Sequence, residues 1–179
     1  MAEPAQEREL VFINETASES LIDETIDSLS ASDKLAFDTE SDSFYRYQER
    51  VCLMQFSDQT RDYIYDPLSH GLLPNLRSVL ESSHRTVLLH GGDFDVLSMR
   101  RDFDLQFGKL FDTLIAARCL GMTSFGLASL LESVLGIKIS KSEQRSDWGR
   151  RPLTHKQINY ARQDTAHLLR LADNLSERL

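Results

Sequence analysis

Two hydrophobic periods divide this chain. Short apolar or alternating runs fall at 10–14 (LVFIN), 35–40 (LAFDTE), 51–57 (VCLMQFS), 62–66 (DYIYD), 86–91 (TVLLHG) and 108–111, and they predict β-strands. Only DQTR separates the third run from the fourth, which predicts an antiparallel hairpin. Helical spacing appears at 17–30, where Leu21, Ile22, Ile26 and Leu29 share one face, and again at 71–83, 93–102, 112–120 and 125–136. Gly136 ends the last of these as a C′ glycine. After a polar connection to Pro152, Thr154 caps a final helix reaching about residue 178. Strands come early and helices late. The expected fold is α/β, a mixed sheet with one antiparallel hairpin flanked by helices. No repeat, low-complexity segment or Gly/Ser/Pro-rich linker divides the chain, so residues 1–179 read as a single domain with its core at about 10–175.

Carboxylates break into this apolar pattern at three places. Asp38 and Glu40 end an apolar run, and a spacing of two puts both side chains on one face of a strand. Asp93 and Asp95 stand in the first turn of a helix that follows Gly91-Gly92. Tyr160 and Asp164, four apart, share a helix face with Ile158, Ala161 and Leu168, which points them inward. Each element has an ordinary explanation by itself: a loop cap, a helix dipole, a Tyr–Asp hydrogen bond. Carboxylates converging from three separate elements repel one another unless cations neutralise them. Hard divalent ions such as Mg²⁺ or Mn²⁺ take oxygen ligands, and a pair of them calls for several acids.

Composition adds constraints. A hydrophobic fraction of 41% and a charged fraction of 27% are ordinary for a globular domain. The opening MAEPAQERELVFINE is acidic and is not expected to be a signal peptide, and no apolar run approaches the roughly 20 residues of a membrane span. Cys52 and Cys119 lack CxxC partners and are expected to be reduced core thiols. These features predict a cytoplasmic protein without membrane contact. The net charge of −8 argues against a polyanionic ligand overall. Between 138 and 162, however, Lys138, Lys141, Arg145, Arg150, Arg151, Lys156 and Arg162 face only Glu143 and Asp147. Spacing does not decide whether they form one face.

The three acidic elements and their surroundings resemble the tyrosine-bearing branch of the DEDD exonuclease superfamily, particularly ribonuclease D and its nuclear-exosome relatives. FDTE (37–40) is similar to the first family motif, HGGDFD (90–95) to the second and YARQD (160–164) to the third. QERVCLMQFSD, YIYDPL, FDTLIAARCLG and SDWGRRPLTHKQINYARQD also match their family contexts, so the resemblance covers about residues 10–175. It places the second-motif ligand five residues after His90, at Asp95. Spacing alone leaves Asp93 open.

The resemblance implies a ribonuclease H-like fold and a two-metal 3′→5′ exonuclease that releases nucleoside 5′-monophosphates. Asp38 then bridges two divalent cations, Mg²⁺ or Mn²⁺. Glu40 and Asp164 hold the cation that activates water, and Asp95 serves the second. Tyr160 orients the attacking water, because a phenol of pKa near 10 is a poor base at neutral pH. The implied partner is RNA with a free 3′ end, with DNA as the alternative. An inactive RNA-binding scaffold is a third reading, opposed by the presence of all five motif residues. Candidate substrate contacts are Thr39 through its backbone N–H, Phe44 with Tyr45 and Tyr47 as stacking rings, Gln55, His90, and Arg150 and Arg151 as phosphate contacts. Trp148 is expected to pack under the final helix. Ribonuclease D proteins carry HRDC helical modules after the nuclease domain, and none is read in these 179 residues.

Overall fold

The computed structural model describes residues 8–140 and 142–179. The first seven residues of the opening segment and Lys141 of the basic stretch lie outside the described residues. Six strands form one mixed sheet: β1 (Glu9–Ile13), β2 (Lys34–Ser41), β3 (Val51–Ser57), β4 (Arg61–Tyr65), β5 (Thr86–Leu89) and β6 (Leu110–Asp112). Their spatial order is β1-β4-β3-β2-β5-β6. Only β3 runs against its neighbours, pairing antiparallel with β2 and β4, while the β1/β4, β2/β5 and β5/β6 pairs are parallel. The expected hairpin is the β3–β4 pair.

Alternation along β2 and β5 sorts the core into two layers. Leu35, Phe37, Val87 and Leu89 pack with Ile26 and Leu29 of α1 (Glu19–Ala31) and with Leu76, Val79 and Leu80 of α3 (Pro74–Leu80). Ala36 and Leu88 face the other way. They meet Ala116 and Ala117 of α5 (Thr113–Cys119) and Leu168, Leu171 and Leu175 of α8 (Leu168–Ser176). By the same alternation, Asp38 and Glu40 belong to this second face.

Two predicted helices differ from expectation. The helix expected over 71–83 is shorter, α3, and an unpredicted short helix, α2 (Pro67–His70), precedes it. Pro74 has no N–H to donate and forces Leu73 into extended backbone (φ −66°, ψ 139°), so α3 must begin afresh with proline in its first turn. The final helix is α7 (His155–Ala166) and then α8, broken at His167, where φ is −114°. The predicted helix over 125–136 is α6 (Leu127–Leu130) running into a π-helical turn (Leu131–Leu135), and Gly136 closes it at φ 70°. Between them, α4 (Asp93–Phe103) follows β5. No helix among the described residues is long and apolar enough to cross a membrane.

Helix α7 spans the second face over β2, β3 and β4, and its placement is firmly anchored. Thr154 and Gln157 form a reciprocal capping box at its start. Farther along, Thr165 meets the Ser57 hydroxyl at 2.8 Å, and Arg162 donates to the buried Asp62 at 2.7 Å. Asp164 lies between these two anchors, so its position over the sheet is set by its neighbours.

Candidate active site

Asp38 and Glu40 sit at the C-terminal end of β2, and His90 to Asp95 follow the C-terminal end of the parallel strand β5. Ligands of open α/β sheets characteristically bind in the crevice beyond these strand ends. Helix α7 brings Asp164 and Tyr160 down onto the same place. One carboxylate oxygen from each of Asp38, Glu40 and Asp164 lies within 4.8 Å of the others. A cavity of about 370 Å³ opens over them, lined also by His90, Leu127, Gln144 and Tyr160.

The electrostatics of the trio are unfavourable as it stands. Burial pushes the Asp38 carboxyl well above the usual carboxylate range, and the charges of Asp95, Asp164 and Glu40 push it further. Glu40 is raised by burial and then by Asp164 and Asp95. Asp164 is pushed up to about 7 by burial, with Tyr160 opposing through a hydrogen bond and Asp95 adding repulsion. Burial and the surrounding acids raise Tyr160 as well, so its phenol keeps its proton and serves as a donor. Four oxygen-bearing acids whose charges oppose one another are the donor set that hard divalent cations satisfy. The residues present therefore fit the group that the resemblance implied.

Asp95 is buried in the first turn of α4, whereas Asp93 is exposed on the same turn. Asp95 stands slightly apart from the trio because Thr39 holds it, the Thr39 hydroxyl donating to Asp95 Oδ1 at 2.6 Å. The Thr39 hydroxyl is committed to Asp95, so this side chain supports an acid of the site. The substrate contact expected of Thr39 uses a different donor, its backbone N–H. Thr39→Val is expected to lower hydrolysis about 10- to 100-fold with the fold intact, as loss of a ligand-orienting bond typically does, while Thr39→Ser retains it. Rates at saturating metal, with circular dichroism as the control, check this.

The remaining candidates divide. His90 lines the cavity. Gln55 stands directly opposite Asp38 in the β2–β3 register but is fully buried beneath α7, too deep to meet a substrate. Arg151 is likewise a correction. All five of its N–H donors are taken, two by Asp66 and the others by the carbonyls of Cys52, Trp148 and Arg150. None is left for a phosphate. Arg150 stays exposed, beside Lys156 in an open depression at the start of α7. Phe44, Tyr45 and Tyr47 are exposed on the β2–β3 connection, with the Arg145 guanidinium 5.8 Å from the Phe44 ring centroid. Trp148 is buried against Tyr160 as expected. Cys52 is buried, but Cys119 is exposed at the end of α5, outside the core it was assigned to. Within the basic run, Arg151 and Arg162 are spent on the buried Asp66 and Asp62.

Sequence reasoning missed Ser140 and Gln144, which line the cavity from the irregular connection before α7. No periodicity marks such a segment. It also missed Thr113, whose hydroxyl oxygen lies 2.9 Å from His90 Nδ1.

Residues 14–179 match the family model of 3′-5′ exonucleases. The chain belongs to this 3′-5′ exonuclease family. It is 35% identical to the exosome complex exonuclease RRP6 of Saccharomyces cerevisiae over 159 residues, which are 88% of this chain and 22% of the relative. The catalytic core of RRP6 from Trypanosoma brucei superposes with a TM-score of 0.88 at 32% identity, covering 96% of this chain and 47% of that one. Escherichia coli RNase D, an exoribonuclease involved in structured RNA processing, gives a TM-score of 0.84 at 28% identity, covering 97% and 45%. The chain spans about a fifth of the length of the curated relatives it matches. The mixed six-stranded sheet is accordingly the ribonuclease D type of the ribonuclease H-like fold, as the family resemblance implied.

Proposed function

We propose that this exonuclease domain is a two-metal-ion 3′→5′ exoribonuclease of the tyrosine-bearing branch, hydrolysing the terminal phosphodiester of RNA with a free 3′ end. The observation that carries the reading is the Asp38–Glu40–Asp164 convergence with Tyr160 beside it. The choice of RNA rests on the relatives, which are named for the exosome exonuclease RRP6 and for RNase D. Asp38, Glu40, Asp95 and Asp164 would hold the cations, Mg²⁺ or Mn²⁺. When bound, such a pair supplies an activated water and neutralises charge at the reacting phosphate.

The chain's own groups do the positioning. Asp38, whose charge is opposed by Asp95, Asp164 and Glu40 alike, would contribute to both cation sites, as the family resemblance implies. The protonated Tyr160 phenol orients the attacking water. Water oxygen joins the terminal phosphorus, the bond to the preceding O3′ breaks, and that oxygen takes up a proton. The products are a nucleoside 5′-monophosphate and a strand shorter by one with a new 3′ hydroxyl. Arg150, Lys156 and the exposed rings of Phe44 and Tyr47 are proposed to guide the incoming strand.

Digestion of matched RNA and DNA oligonucleotides ending in 3′ hydroxyl or 3′ phosphate, with Mg²⁺ or Mn²⁺, tests the reading. The expected result is stepwise release of 5′-monophosphates from 3′-hydroxyl RNA that stops on chelation. A strong preference for DNA sinks the choice of RNA, and the absence of release with either cation sinks the enzyme.

A further inference from the structure

His90 reaches the acid cavity with its tautomer already fixed. Its Nδ1 lies 2.9 Å from the hydroxyl oxygen of Thr113, a fully buried residue at the start of α5. The Thr113 hydroxyl in turn donates to the Leu89 carbonyl at 3.0 Å. A carbonyl can only accept, so the one hydroxyl hydrogen is committed there and a lone pair of Thr113 Oγ1 faces the imidazole. Nδ1 must then be the donor. Burial pushes the His90 pKa below the ordinary histidine value, with Asp112 opposing, so the ring is neutral near pH 7. A neutral ring protonated at Nδ1 has a bare Nε2.

That nitrogen has no partner among the described residues. It is not sealed in the core, since the buried unpartnered side-chain atoms belong to Gln55, Ser98 and Trp148. Nor does it join the cation-binding group, which comprises Asp38, Glu40 and Asp164 without His90. With the cations held by the carboxylates, a bare imidazole nitrogen in the same cavity accepts a hydrogen bond, from cation-bound water or from a donor of the substrate. Phosphodiester oxygens carry no hydrogen at neutral pH. Base donors differ from one nucleotide to the next, whereas sugar hydroxyls recur at every ribonucleotide end.

We infer that His90 Nε2 accepts a hydrogen bond from a hydroxyl of the 3′-terminal ribose, which makes His90 a specificity-determining residue. The Thr113–Leu89 relay is the device that keeps the accepting nitrogen turned to the sugar. This rests on the exonuclease reading above and deepens it, because a site that accepts from a hydroxyl rejects an end lacking that hydroxyl.

The test uses one oligoribonucleotide sequence ending in adenosine, 2′-deoxyadenosine or 3′-deoxyadenosine, so the terminal base is constant and the two hydroxyls are separated. With Mn²⁺, wild-type kcat/KM is expected to favour adenosine about tenfold or more over the analogue lacking the recognised hydroxyl. His90→Phe is expected to bring that ratio close to one by slowing the adenosine end alone. His90→Asn, which offers no bare ring nitrogen there, does the same, and Thr113→Ser keeps the wild-type ratio. Nitrogen NMR of the metal-free protein is expected to show His90 protonated at Nδ1 and bare at Nε2. The opposite tautomer, a wild type indifferent to both hydroxyls, or an unchanged ratio in His90→Phe each overturns the inference and leaves the exonuclease reading standing. A wild type that hydrolyses none of the three ends overturns both.

Discussion

Asp38→Asn is expected to abolish hydrolysis while making the metal-free protein more stable. Cation chemistry at a phosphoryl centre contributes several kcal/mol to transition-state stabilisation, so loss of the central ligand should cost about 10³-fold or more in rate. The stability change has the opposite sign. Asp38 is raised by burial and by three neighbouring acids, so an amide there removes repulsion from the folded state only. The same physics predicts a pH dependence. An acid whose folded pKa exceeds its unfolded value near 4 holds more protons folded than unfolded, so its penalty is absent below that value and grows as pH rises. For Asp164, pushed up to about 7, the window runs from about 4 to about 7. His90 and His167 are lowered by burial and act oppositely over the upper part of that window. Comparing wild type with Asp38→Asn cancels them. Thermal melts of both proteins from pH 5 to pH 8 should show the mutant's advantage growing with pH, and Mn²⁺ should recover wild-type stability at the alkaline end. A mutant that still hydrolyses RNA, or whose advantage shrinks with pH, would refute the metal assignment. A mutant unchanged in every property would instead favour the inactive scaffold.

How much of this site was legible depended on how local each signal is. Strand alternation alone placed Asp38 and Glu40 on one face, and helical spacing placed Tyr160 and Asp164 on another, because both periods are intrinsic to the backbone. The acids of HGGDFD were undecidable by spacing, since either suits a helix N-terminus. What separates the buried Asp95 from the exposed Asp93 is a hydroxyl 56 residues earlier in the chain, on Thr39. Thr113 follows the same logic, its value lying in a contact to His90 that no periodicity announces. Gln144 stands in an irregular connection and was invisible for that reason. Pro74 states the start of α3 chemically, yet helical spacing alone carried the predicted helix back to residue 71. The break at His167 has no such residue to mark it, and we have no physical account of it.

Arg151→Ala is expected to unfold the domain's tether rather than to weaken substrate binding. Asp66 is fully buried and already caps α2 by accepting from the Leu68 amide at 2.9 Å. Arg151 neutralises it with two parallel bonds, Nε to Oδ2 at 2.5 Å and Nη2 to Oδ1 at 2.9 Å. Its remaining donors hold the carbonyls of Cys52 on β3 and of Trp148 and Arg150 in the approach to α7. One guanidinium thus joins the sheet, the α2 cap and the segment that delivers Tyr160 and Asp164. Removing it strands a buried carboxylate, which typically costs about 3–5 kcal/mol, or roughly 10 °C in Tm for a domain of this size. Arg151→Lys should recover little, because an ammonium cannot reproduce the forked geometry. Asp66→Asn combined with Arg151→Met should lose less than Arg151→Ala alone, since it leaves no unpaired charge behind. Arg150→Ala supplies the contrast: an exposed guanidinium free to meet phosphate should weaken RNA binding in a salt-dependent way without moving Tm. If Arg151→Ala instead leaves Tm in place and raises KM, the guanidinium acts on the substrate, and the tether assigned to it here is wrong.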